Sequence, residues 1–142
     1  MSLEPESLAH RFAARQLSRT EWTHEAHLTV GLWHVATLGP AEAMARLRSG
    51  IRKLNESNGV ANTTSGGYHE TITQAYVRLI AAFLASRPGD VSLQQTCDAL
   101  LSGELADRNV LLRHWSRERL FSPLARAGWV EPDLAPLPPS ES

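Results

Sequence analysis

Trp22-Thr23-His24-Glu25-Ala26-His27-Leu28 carries two imidazoles three residues apart, and a helix brings that spacing onto one face with neighbouring Cβ atoms. At about 100° per residue the stripe continues through Gly31, His34, Val35 and Leu38, so the histidines travel with apolar residues and face inward. Trp33 points the other way. Gly39-Pro40 ends the helix by a left-handed stop and the loss of a donor. At the other end, Ser18-Arg19-Thr20-Glu21 fits a capping box and predicts that the helix begins there.

The rest of the chain reads in the same period. Leu8, Phe12 and Leu17 predict a short amphipathic helix over 4–17, with Pro5 in its first turn. A third helix is expected over 41–56, a fourth over 68–86, and a fifth over 93–101, opened by the capping box Ser92-Leu93-Gln94-Gln95. A sixth is expected over 107–119, and a last short turn follows Ser122-Pro123 as far as Ala127. No stretch alternates with period two for long enough to demand a sheet, and there is no internal repeat or heptad run. The sequence therefore predicts an all-α single-domain bundle of about five to six helices over 1–130, with a Pro-rich, loosely docked or disordered tail over 131–142.

The chain's 142 residues suit one domain with one sizeable core. Lys and Arg number 14 against 15 Asp and Glu, so no global field draws it to nucleic acid or an anionic membrane, and neither is expected as a partner. The single cysteine, Cys97, fits a reducing compartment, and the cytoplasm is the expected location. Met1 to Glu6 has no apolar run after a basic start and does not read as a secretory signal. The greasiest stretch, 76–85, contains Arg78 and is too short to span a bilayer.

A second cluster, Tyr68-His69-Glu70-Thr71, opens the fourth helix, where His69 shares a stripe with Ile72, Thr73, Tyr76, Ile80 and Phe83. If the two inward faces pack, His24, His27 and His69 converge as three neutral imidazoles with an open coordination position. Zinc takes such a set, and Glu70 as a further ligand would extend it to iron, manganese or nickel. Alternatively Glu70 acts as general base, and metal-bound water acidified toward neutral pH would enable hydrolysis or another proton-transfer reaction on a small molecule, as in a metal-dependent hydrolase. His34 lies roughly 10 Å along the axis from His27 and is set apart from this group. His24-Glu25-Ala26-His27 is also one residue short of the protease pattern with ligands four apart.

Simpler roles stand beside these. His24 and His27 could be one surface and one core histidine, and His69 with Glu70 could serve only to cap the helix and complement its dipole. His34 and His114 read as packing residues, and Trp22, Trp115 and Trp129 as core and tail anchors or as walls of a pocket. Arg113 and Arg117, one turn apart in the predicted sixth helix, could hold a carboxylate or phosphate or form a solvated face. The polar loop 58–67 has glycines at 59, 66 and 67 that would let it act as a lid. A metal-free pocket for a small anion, or a homodimeric interaction module using the Trp residues and the basic C-terminal region, are the alternatives to a metal site.

At Trp22-Thr23-His24 with His27, at Tyr68-His69-Glu70-Thr71-Ile72-Thr73, and at Arg117-Glu118-Arg119-Leu120-Phe121-Ser122-Pro123, the chain resembles a largely uncharacterised family of small bacterial all-helical proteins. The resemblance covers nearly the whole chain up to Asp133. It implies that the two histidine clusters belong together, and it implies no substrate.

Overall fold

Thr23 decides where the central helix begins. Its backbone is extended and its hydroxyl accepts from the Ala26 N–H at 3.2 Å, so α2 runs from His24 to Leu38. The hydrogen bonds expected of the Ser18 capping box do form, Glu21 N to Ser18 Oγ at 3.3 Å and Ser18 N to Glu21 Oε1 at 3.0 Å. They close a tight turn instead of starting the helix. Arg11 holds the Glu21 carboxylate at 2.7 Å, which ties that turn to the first helix.

The computed structural model describes residues 4–138, and the helices among them are α1 (Pro5–Ala13), α2, α3 (Pro40–Ser57), α4 (Glu70–Ala85), α5 (Leu93–Leu101), α6 (Arg117–Leu120) and α7 (Pro123–Ala127). No strand occurs among the described residues. The architecture is an all-α bundle. None of these helices is long and apolar enough to cross a membrane.

The bundle is built around α2, which α1, α3, α4 and α5 contact. The helix is buried beyond the stripe that contains its histidines: Ala26, Thr29, Val30 and Leu32 are as inaccessible as Leu28, as expected of a helix that is apolar nearly all round. Gly31 allows α4 to come close, because a Cβ there would lie 3.0 Å from Ile80 Cδ1. Gly50 does the same for α1, where an added Cβ would stand 2.5 Å from the Phe12 ring. Trp115 is completely buried in the core, and its indole N–H donates to the Val130 carbonyl at 3.0 Å.

The predicted helix over 107–119 is the main correction. That stretch is broken into a 3₁₀ turn, Val110–Arg113, and the short α6, preceded by another 3₁₀ turn at Glu104–Ala106. Two local captures explain this. Asp107 Oδ1 accepts from Asn109 N at 2.9 Å, and Ser116 Oγ accepts from Arg119 N at 3.3 Å, so short polar side chains divert the backbone and restart it.

Residues 131–138 of the Pro-rich tail are docked. Leu134 and Ala135 donate to the His114 carbonyl, Asp133 accepts from the Ser116 backbone and hydroxyl, both at 2.7 Å, and Arg119 Nε reaches the Glu131 carbonyl at 2.6 Å. The remaining tail, 139–142, lies outside the described residues.

Candidate functional site: a cavity beside the first turns of the central helix

Between α2, α3, α4 and the irregular segment 108–121 lies a cavity of about 340 Å³, within the range used by small-molecule sites. Leu28, Leu47, Ile51, Ile72, Val77, Ile80 and Leu111 supply most of its wall, and His24, His27, Tyr76, Arg108 and Asn109 supply its polar groups. Both histidines of the Trp22–Leu28 stretch therefore face one space. Among the described residues, no Asp or Glu lines it.

His27 is held in a defined state. Its Nδ1–H donates to the Thr23 carbonyl at 2.6 Å, and the Trp22 indole lies against the ring, tilted by 31° with centroids 3.8 Å apart. The other nitrogen, Nε2, makes no hydrogen bond among the described residues. His27 is exposed on the open side of the recess that it lines. Desolvation pushes its pKa down to about 4, the Thr23 carbonyl opposing and nearby His24 and Arg108 assisting, so the imidazole is neutral at pH 7.

The neighbouring groups have similarly unused valences. The Nε2–H of His24 donates to the Leu105 carbonyl at 2.9 Å, its ring lies edge-on to Tyr76 at 5.6 Å, and its Nδ1 has no partner among the described residues. The Tyr76 hydroxyl likewise has none, and burial, with Asp107 nearby, raises its pKa to about 12. It is thus a neutral O–H. Arg108 is exposed and makes no ion pair or hydrogen bond among the described residues; the adjacent Asp107 faces Arg113 at 3.7 Å and accepts from Asn109 N at 2.9 Å.

His69 and Glu70 do not join His24 and His27 on the cavity wall. His69 is the N-cap of α4: Nδ1 accepts from Ile72 N at 3.1 Å, and Nε2–H donates to the Leu120 carbonyl at 2.6 Å. Both ring nitrogens are committed, and burial lowers the pKa of this ring as well. Glu70 accepts four hydrogen bonds: from Arg48 Nε at 2.9 Å, Arg48 Nη2 at 2.7 Å, Tyr68 Oη at 2.7 Å and Gln74 Nε2 at 2.6 Å. Burial pushes its pKa up, but Arg48, Tyr68 and Gln74 outweigh burial and hold it at about 2. A carboxylate so held is a poor proton acceptor at neutral pH. Among the described residues, no three of His, Cys, Asp and Glu gather as a group that could hold a metal ion.

The other candidates lie elsewhere. Arg113 pairs with Glu104 and Asp107, and Arg117 lies over the Phe121 ring at 5.9 Å; neither lines the cavity. No residue of the 58–67 loop lines it either. That loop is pinned by Asn62, whose Oδ1 accepts from Asn55 Nδ2 and Tyr68 N and whose Nδ2 donates to the Arg52 carbonyl. His34 and His114 bond to backbone carbonyls of Val30 and Ala135, as packing residues do. Sequence reasoning missed Tyr76, Arg108 and Asn109 as site residues. For Tyr76 the signal was a polar tip within an inward, mainly apolar helical stripe.

No family model matches the chain, and no curated protein or solved structure shows significant similarity to it.

Proposed function

We propose that the protein binds a small, mainly apolar molecule in the cavity beside His24 and His27, without requiring a metal. One observation carries this reading: a recess of about 340 Å³ with aliphatic walls onto which several unpartnered polar groups converge, the usual composition of a small-ligand site. His27, Arg108 and Asn109 are exposed at the rim and His24 and Tyr76 half-buried, so their free donors and acceptors meet water until a ligand displaces it. Filling the recess tests the proposal. Ile51→Trp and Leu112→Trp each add bulk from a different wall, and neither residue is fully buried. Small aromatic compounds should raise the melting temperature of the unmodified protein and leave these variants unshifted; equal shifts in all three would place binding elsewhere.

A second reading keeps the metal. His24 and His27 stand together on one wall, each with a free ring nitrogen, and two neutral imidazoles can begin a coordination shell that exogenous ligands complete. Recruiting His69 and Glu70 would first break the six hydrogen bonds described above, so those two residues are assigned to structure. No reaction follows from either reading.

A further inference from the structure

The cavity's charge balance says more about its occupant than its volume does. Among the described residues, Arg108 is the only Lys or Arg on the lining, and no Asp or Glu lines it. Asp107 is the acid nearest in sequence, but its carboxylate already takes the Asn109 N–H and faces Arg113 at 3.7 Å. Arg108 thus presents a solvent-exposed guanidinium with no intramolecular partner among the described residues, at the rim of an apolar recess. Guanidinium recognises a planar carboxylate through two parallel N–H donors. The neutral Tyr76 hydroxyl and the Asn109 amide add donors on the same lining. A single positive charge matches a monoanion, since a phosphate monoester would bring a second negative charge with no cation to meet it. The apolar walls, Leu28, Ile72, Val77, Ile80 and Leu111, leave room for an aromatic or branched aliphatic body.

We infer that the ligand of this cavity is an amphipathic monocarboxylate, its carboxylate held by Arg108 and its apolar body between α2 and α4. The inference rests on the proposed small-molecule site. It goes further by naming the charge and class of what occupies it.

Three isosteric probes separate the two claims: 1-naphthoate, 1-naphthamide and 1-naphthylmethylamine, titrated calorimetrically against the full chain. The expected order is naphthoate tightest, naphthamide weaker by about tenfold, and the amine weakest, as one partly exposed charge-assisted contact implies. Arg108→Met should bring naphthoate down to the affinity of naphthamide and leave naphthamide itself unchanged. Raising ionic strength should weaken naphthoate alone. Equal binding of naphthoate and naphthamide, or an Arg108→Met variant that still prefers the anion, overturns the carboxylate assignment while leaving the cavity as a binding site. Tighter binding of 1-naphthyl phosphate than of naphthoate also overturns it. If no probe binds, the small-molecule reading fails with it.

Discussion

The Nε2–H of His69 donates to the carbonyl of Leu120 at 2.6 Å, joining the start of α4 to the end of α6 across the fold. The same ring caps α4 through Nδ1, so one neutral imidazole satisfies an orphan helix donor and a buried carbonyl together. His69→Ala should therefore destabilise the protein by about 2–3 kcal/mol, from loss of a cap and of a buried hydrogen bond. His69→Asn should recover part of this through the cap alone. Urea unfolding measures both, and a His69→Ala variant as stable as the parent would remove the structural role.

Glu70 and Arg48 form the bidentate pair that locks α3 to the start of α4. The folded-state pKa of Glu70, about 2, lies below its ordinary 4.5, so the pair stabilises fully above pH 4.5 and its contribution is lost as pH falls toward 2. Arg48 is partly exposed, which screens the interaction; Glu70→Gln should cost about 1–2 kcal/mol at pH 7 and little at pH 2. Stability curves of parent and variant should converge on acidification. A difference independent of pH between 5 and 2 would show that the charge on Glu70 is immaterial.

Much of the bundle was legible because its signals are local. Ser92 and Gln95 form the capping box read from four residues, and Gly39-Pro40 ends α2 and begins α3 as their backbone constraints require. His24 and His27 were legible as one inward face for the same reason. The region 107–119 was not, because Val110, Leu111 and Trp115 are buried by turns that Asp107 and Ser116 impose, and apolar spacing alone cannot tell a 3₁₀ turn from an α-helix. The site's other half failed on distance along the chain. That His69 would spend both nitrogens, one on Leu120, and that Arg108 would arrive beside His27, depend on tertiary contacts that carry no local signature.

Metal addition separates the two readings of the histidines. Tag-free protein given zinc, nickel, manganese or iron should keep its melting temperature within error, because only two imidazoles with free nitrogens share the recess and the other proposed ligands are engaged. A shift of several degrees that disappears in His24→Ala and persists in His69→Ala would instead support a two-histidine metal site.

The central claim is that the recess beside the first turns of α2 receives a small amphipathic ligand. Amide chemical-shift mapping during a titration with 1-naphthoate tests it most directly. Saturable changes are expected at 22–31, 72–80 and 108–112, and are expected to be absent in Ile51→Trp. Saturable changes centred elsewhere, or none up to millimolar probe, would contradict it.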